Sequence, residues 1–202
     1  MASVLQVATI KDQGGNANAI EIANSSANVT INQLTASTKF PAGGTGNPIS
    51  VAIIADEKST DSNSGAATGD GVQYRDLNTE ISDLDSIVTI DSVNKQFTIG
   101  AGTYIIEFSA PAYVTGRHHV LLWDQTAGAY VTKGTGTSEY IGTSVAAHTR
   151  SFGSCMVTPT SNNIYRIAHY TAAAKSTNGL GIEVEKSGMV SIFTIVKIIK
   201  LK

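Results

Sequence analysis

The feature that most constrains the fold of this chain is the alternation of residues between Gln96 and Tyr113, QFTIGAGTYIIEFSAPAY. Successive side chains of a β-strand point to opposite faces, so alternation of this kind is typical of a half-buried antiparallel strand. The stretch therefore predicts a short strand, a Gly-Ala-Gly turn and then a long strand. Of the two faces of the long strand, one carries Tyr104, Ile106, Phe108 and Ala110 and the other carries Thr103, Glu107 and Ser109, while Ile105 breaks the rule.

The composition favours an all-β protein. The 202 residues include 19 glycines, and apolar stripes at helical spacing are hard to find. Only 15% of the residues are charged and the net charge is −2, so we expect no electrostatic binding of nucleic acid. Cys155 is the single cysteine, which excludes a disulfide within the chain.

The beginning of the chain and its apolar runs bear on localisation. The first residues, MASVLQVATIKDQGG, lack a basic segment followed by an apolar one, so we expect no secretory signal. No run approaches the roughly 18–20 apolar residues of a membrane span, and we expect no membrane insertion. These features predict a protein made in a cytoplasm.

The chain divides into two parts by composition. Residues 1–40 hold short apolar segments that are too sparse to bury a core, so we expect them to be ordered by other chains or not at all. The Pro- and Gly-rich sequence FPAGGTGNP predicts a linker that ends at Pro48. From residue 49 onward, strands separated by turn residues are predicted, with a long polar loop at 58–71. The predicted strands cover 50–57, 87–90, 96–99, 103–113, 119–124, 129–132, 140–145, 150–157, 164–171, 180–184 and 189–201.

These motifs resemble a known family. A hydrophobic strand, then Ala-Gly-Thr-Tyr at 101–104, then an alternating strand resembles the centre of the C1q/TNF-like jelly-roll domain. The Ala-Pro-Ala-Tyr at 110–113 resembles the version found in bacteriophage fibre and knob proteins, and the first eleven residues resemble the attachment ends of marine-phage fibres. The resemblance implies an all-β jelly-roll sandwich over 49–202, preceded by an extended arm at 1–48.

The resemblance also implies a homotrimer that forms through one sheet of each jelly roll. The last strand fits this expectation because it is apolar on both faces and needs a partner beyond its own sandwich. Residues 1–40 would contact other virion proteins. The interface residues expected on this basis are Phe193, Ile195 and Ile198.

The sequence gives little support to catalysis or to metal binding. It lacks GxSxG, HExxH, Walker and CxxC motifs, so we expect no enzyme and no cofactor. His118 and His119 are adjacent, and on a strand they point to opposite faces, which disfavours a shared metal. The loop at 58–71 begins like a calcium loop at Asp61 and Asn63 but lacks the full spacing, so a calcium ion stays open and is not favoured.

Aromatic and charged residues near the turns are the candidates for a receptor-binding site. Tyrosine and tryptophan suit both protein interfaces and sugar rings, so a host surface glycan or protein is the expected partner. The alternative is that Trp123 belongs to the core and the tyrosines cap the ends of the sandwich. The candidate receptor-binding residues are Arg117, His118, Trp123, Tyr130 and Tyr140.

Two functions follow from the resemblance. The first is a virion structural protein, a short trimeric tail or head fibre with a knob that attaches to the host surface. The second is a capsid decoration or neck connector protein with no receptor role. A glycan-cleaving tailspike is disfavoured, because the acidic residues cluster in turns rather than as a pair in a groove.

Overall fold

The computed structural model describes residues 10–11, 18–20, 49–138, 147–183 and 187–201. In these residues the regular elements are β-strands, and no helix there has the length and apolarity that a membrane span needs. The strands are β1 (Ile10–Lys11), β2 (Asn18–Ile20), β3 (Ser50–Lys58), β4 (Ala67–Thr68), β5 (Gly71–Tyr74), β6 (Thr79–Asp83), β7 (Val88–Asp91), β8 (Gln96–Ile99), β9 (Tyr104–Tyr113), β10 (Arg117–Asp124), β11 (Ala129–Lys133), β12 (Thr137–Ser138), β13 (His148–Val157), β14 (Asn163–Thr171), β15 (Ala174–Lys175) and β16 (Ser191–Lys200).

The chain forms two compact units, Met1–Pro48 and Ile49–Lys202. In the first unit, β1 and β2 pair antiparallel, with Ile10 opposite Ile20. The second unit contains the two large sheets that carry the candidate sites.

The two large sheets of the second unit are antiparallel. The five-stranded sheet has the order β13-β9-β16-β3-β6. The seven-stranded sheet has the order β11-β10-β14-β8-β7, with β12 added beside β10 and β5 beside β14. The last strand, β16, lies between β9 and β3. The five-stranded sheet is therefore complete only when the end of the chain has paired with both of these earlier strands.

The core confirms the alternation predicted for β9. Tyr104, Ile106, Phe108 and Ala110 are all buried between the sheets, whereas Glu107 is exposed. The other sheet contributes Phe97, Val120, Leu122, Tyr165 and Ile167 to the same cluster. The inner faces of the two large sheets thus pack against each other, and burial of their apolar side chains stabilises the sandwich.

The strand prediction is wrong in several places, and it also misses the two-residue strands β12 and β15. The predicted loop at 58–71 contains β4, and β5 and β6 lie where no strand was predicted. These strands are short and lack clean alternation. They are extended because β4 pairs with β15, β5 with β14 and β6 with β3, and not because their own side chains favour a strand. The described part of 180–184, residues 180–183, is not a strand, because Gly181 takes a φ of +138° against the Phe193 ring. The predicted strand at 140–145 lies outside the described residues.

The core depends on a glycine at one position of β13. Gly153 lies opposite Phe108, and a Cβ atom at Gly153 would sit 2.3 Å from Cζ of the Phe108 ring. We expect Gly153→Ala to lower the free energy of unfolding by about 1–3 kcal/mol, because the ring or the strand must move. Chemical denaturation measures this change.

Gly136→Ala is the matched control, since no atom lies within 4 Å of a Cβ atom built there. It should change the stability by less than about 0.5 kcal/mol. Equal stability of the two variants would contradict the packing of Phe108 described above.

Candidate functional site

The outer face of the five-stranded sheet carries a row of apolar side chains. At one end, Met156 of β13, Ile105 of β9, Ile199 of β16 and Val51 of β3 occupy adjacent positions across the four strands. Met156 is 60% exposed, and Val51 is exposed as well. Four neighbouring apolar side chains outside the core form the kind of surface that marks an interaction site.

A charged pair and an exposed aromatic ring follow along the same face. Lys197 Nζ lies 3.1 Å from Glu107 Oε2, and both side chains are nearly half exposed. Beyond this pair, Phe152 is 55% exposed and lies beside Ser109, which lies beside Ile195. These residues border an open depression of about 530 Å³. We call Val51, Ile105, Glu107, Phe152, Met156, Ile195, Lys197 and Ile199 the outer sheet face.

The structure corrects the expected interface residues of the last strand. Ile195 lies on the outer sheet face, but Ile198 is buried in the core of the sandwich and Phe193 is buried with its ring beside Gly181. A register shift between Ile192 and Ile195 changes which residues of β16 point inward. Since β16 is apolar on both faces, its own sequence could not tell the faces apart. The residue that indicates the outer face lies in β9. Glu107 is on the outer side there and lies opposite Lys197, which places Lys197 on the outer side of β16.

The structure separates the candidate receptor-binding residues. Trp123 and Tyr130 meet on β10 and β11, with ring centroids 4.8 Å apart and an edge-to-face angle of 72°. Tyr130 is exposed and Trp123 is half-buried, with its Nε1 donating to Gln125. Arg117 is exposed at the other end of β10, about 20 Å away at the usual rise per residue. Tyr140 lies outside the described residues.

Arg117 borders its own open pocket. Together with Thr137, Ser138 and Tyr170 it surrounds a space of about 480 Å³. His118, the next residue, also borders this pocket, but it is only 1% exposed and offers a receptor almost no surface. The candidate set thus divides into the Trp123–Tyr130 pair, the Arg117 pocket and a buried histidine.

A buried polar network that no sequence motif indicated joins β3 to β16. Arg75, between β5 and β6, is fully buried; it donates from Nε to Thr194 at 2.8 Å and from Nη2 to Ser64 at 2.9 Å. Ser64 donates in turn to Asp56 at 2.6 Å, and that carboxylate lies 4.0 Å from Arg75. Burial lowers the pKa of Arg75 to about 10, and Asp56 opposes this effect. Arg75 therefore keeps its charge at neutral pH.

Two buried histidines lie in the electric field of Arg75. His118 Nδ1 is 2.9 Å from His169 Nε2, and His118 Nε2 is 2.8 Å from Thr149 Oγ1. Burial, with a smaller effect of Arg75, lowers the pKa of His118 to about 4 and that of His169 well below its usual value. Both rings are neutral at pH 7. In the sequence Asp56 ends the apolar run at 51–55 and Arg75 stands in a largely polar stretch, so nothing local indicated that the two charges would be buried together.

The residues that the structure describes do not form a recognisable metal site. Among them, no three histidine, cysteine, aspartate or glutamate side chains are grouped as metal ligands. Asp61 and Asp70 both take positive φ angles, and Asp70 accepts a hydrogen bond from Tyr170 at 3.4 Å. The calcium ion considered for the loop at 58–71 stays untested.

Comparisons with known proteins define the class of fold. No family model and no curated protein matches the sequence. Among solved structures, Eiger TNF from S. frugiperda is similar with a TM-score of 0.50 and 12% identity, over 77% of this chain and 94% of that chain. Murine APRIL at pH 8.0 gives a TM-score of 0.48 and 12% identity, over 76% and 99%. The globular domain of the zebrafish complement 1qA protein gives 0.40 and 14%, over 77% and 97%.

At these identities the likeness concerns the fold alone. Together with the strand order, it shows an all-β, C1q/TNF-like jelly roll and confirms the predicted fold class. The function must be argued from the surfaces of this chain.

The burial of Arg75 leads to a prediction about the stability of the fold. We expect Arg75→Met to lower the free energy of unfolding by about 3–5 kcal/mol, because it removes one partner from a buried network and leaves Asp56 without its guanidinium. Urea denaturation at pH 7 measures the effect.

Lys95→Met is the control for the loss of a cation. Lys95 pairs with Asp76 at 2.8 Å but is about half exposed, so its loss should cost less than about 1 kcal/mol. If Arg75→Met cost no more than this control, the network would not contribute to the stability of the sandwich.

Proposed function

We propose that this protein is a structural subunit of a bacteriophage virion, a homotrimeric fibre knob that binds and assembles rather than catalyses. The observation that carries the proposal is the outer sheet face. Apolar side chains lie on both sides of the Glu107–Lys197 pair on this face, and in the proposal other copies of the chain bury them.

The outer sheet face suits closed assembly in two respects. Phe152 and Met156 are large apolar side chains that are more than half exposed on an edge strand, a combination that invites association. Closed cyclic symmetry covers such a face without building open fibres. Glu107 and Lys197 add complementary charges, so the pair of one copy can meet the pair of another in a fixed register.

The place in the virion rests on the resemblance of the sequence. The first residues resemble attachment ends of phage fibres, and the Ala-Pro-Ala-Tyr at 110–113 resembles phage knobs. In this proposal residues 1–48 anchor the subunit to other virion proteins. The jelly roll at 49–202 then extends from the particle, and three copies multiply the avidity of weak contacts.

Host attachment would use the β10–β11 hairpin. The exposed Tyr130 and the half-buried Trp123 present two aromatic rings at an angle of 72°, with the side chain of Gln125 nearby. Such rings bind sugars and protein surfaces because they combine an apolar face with a hydrogen-bonding edge. A host surface glycan or protein is the partner that fits them.

Capsid decoration is the second candidate. A decoration protein needs contact surfaces in several places, and exposed apolar side chains also occur away from the outer sheet face. Leu84 is 94% exposed and Val93 is 88% exposed, both in turns. In this alternative the knob is buried against neighbouring virion proteins and has no receptor.

The oligomer is tested on the outer sheet face. We expect the purified chain to sediment as a trimer at micromolar concentration. A variant with Phe152→Glu and Ile195→Glu should sediment as a monomer, because buried charges weaken an interface at its core by roughly 100-fold or more. Sedimentation equilibrium and circular dichroism report the mass and the fold.

A variant with Leu84→Glu and Val93→Glu is the control, since it adds an equal charge at two exposed turns. It should leave the trimer intact. A wild-type chain that is monomeric at these concentrations would overturn the proposed assembly.

Attachment is tested with intact host cells. We expect saturable binding of the wild-type chain, reduced at least about tenfold when Trp123 and Tyr130 are both replaced by alanine, because stacking aromatic residues dominate such sites. Flow cytometry with the labelled chain measures the binding.

Tyr170→Ala, in the Arg117 pocket, is the comparison variant. A loss confined to this variant would move the receptor site to the Arg117 end of β10. No binding by a folded wild-type trimer would favour the decoration protein.

A further inference from the structure

The four histidines of the chain are gathered at one place in the fold. His118 and His119 lie on β10, His148 on β13 and His169 on β14. Burial lowers the pKa of all four, and the charge of Arg75 lowers it further for His118, His148 and His169. The charge of a single buried arginine thus acts on three of the four histidines in the protein.

We propose that the His118–His169 pair, together with the contact of His118 to Thr149 on the opposite sheet, is an acid-sensitive clasp, which holds this end of the jelly roll closed at neutral pH and releases it when the rings take up protons. The clasp does not depend on the proposed trimer or on its place in a virion.

The hydrogen bonds of the pair join three strands. Within the seven-stranded sheet, His118 of β10 contacts His169 of β14 at 2.9 Å. Across the sandwich, the other nitrogen of His118 contacts Thr149 of β13 at 2.8 Å. The backbone N–H of Val120 also donates across the sandwich, to Ser151 of β13 at 3.0 Å. Polar side chains therefore connect the two sheets here, beside the apolar packing of Val120 in the core.

The bond between the two rings requires a shared proton and a free lone pair. One facing nitrogen must donate an N–H and the other must accept it, so the pair exists while at least one ring is neutral. When both rings are protonated, two N–H donors face each other at 2.9 Å and the bond is lost. Protonation of even one ring adds a cation beside the buried Arg75, where water cannot reach it.

The surrounding groups do not neutralise that added charge. Besides Arg75, the neighbouring groups that act on the histidines are His119 on β10, His148 on β13 and Arg150 on β13, which acts on His148 and on Arg75. Lys133 of β11 acts on His119. All of these are cationic or become so when protonated.

The carboxylates of this region face the arginine and not the histidines. Asp56 on β3 and Asp76 beyond Arg75 both act on Arg75, and each already pairs with Lys58, at 3.0 and 2.6 Å. His169 Nδ1 is buried without a hydrogen-bond partner among the described residues. An imidazolium at His169 would therefore bury a new N–H and a new charge together.

The direction of the pH effect follows from the lowered affinity of the closed form for protons. An open form, with histidines near their ordinary pKa of about 6.5, binds more protons than the closed one, so the closed form loses stability as the pH falls below 6.5. For His118 the loss is complete at its closed-form pKa of about 4. The contribution of His118 is roughly 300-fold in the ratio of closed to open molecules, and His169 adds to it.

The experiment follows the opening directly in the full chain. Hydrogen–deuterium exchange, corrected for the chemical exchange rate, is compared at pH 7.5 and pH 5.0, with NMR titration of the histidine rings on the same protein. We expect protection of β10 and β13 to fall at least about tenfold at pH 5.0, while the β3–β16 ladder keeps its protection. The ring signals of His118 and His169 should show protonation only together with opening.

Two variants separate the clasp from general acid effects. His169→Gln removes a titratable ring but keeps a side-chain amide that can hydrogen-bond to His118, so the loss of protection between pH 7.5 and 5.0 should fall to about a third or less. His119→Gln is the control, because His119 is only half-buried and stacks on Tyr170 outside the pair. It should keep most of the wild-type pH dependence.

Two results would overturn the proposal. One is protection of β10 and β13 that does not change between pH 7.5 and 5.0. The other is protonation of His118 and His169 near pH 6.5 while β10 and β13 stay protected, since the closed form would then tolerate the charge. Both can be observed in the wild-type chain, so the test stands even if His169→Gln fails to fold.

Discussion

The position of β16 in the centre of the five-stranded sheet is the constraint on which the rest of the structure depends. This strand comes last in the chain and pairs on one side with β3, the first strand of the jelly roll, and on the other side with β9. The pairing brings together residues about 140 positions apart, so the sandwich forms only as a whole. It also decides which apolar residues of β16 enter the core and which contribute to the outer sheet face.

The same closure creates the buried polar network at one end. Arg75 reaches Thr194 of β16, Ser64 and, through it, Asp56 of β3, while the histidine pair connects β10, β14 and β13. A fully buried arginine is tolerable only when its donors are used, and here they bind Thr194 of β16 and Ser64 in the loop after β3. The network ties the sheets together at neutral pH and makes the same end sensitive to acid. The connection between the sheets and the sensitivity to acid have one cause, which is that water is excluded around the buried charge of Arg75.

The sequence predicted the fold well where the pattern of a strand was self-contained. The alternation of β9 identified its buried face correctly from Tyr104 to Ala110, and the all-β class followed from composition. Prediction failed where pairing determines the strand, as for β5 and β6, and where both faces are apolar, as for Phe193 and Ile198. Nor could it show that His118 is buried while Arg117, its neighbour, is exposed, because that depends on which face of β10 meets β13.

The sequence by itself determined that the chain is a β-sandwich with one strongly amphipathic strand, because alternation at period two encodes a sheet with two different faces. Only the tertiary structure decided which apolar side chains stay outside, where Phe152 and Ile195 flank the Glu107–Lys197 pair. It alone also placed Arg75 beside His118 and His169. The physical reason is that burial and charge are properties of neighbours, and these neighbours lie far apart in the chain.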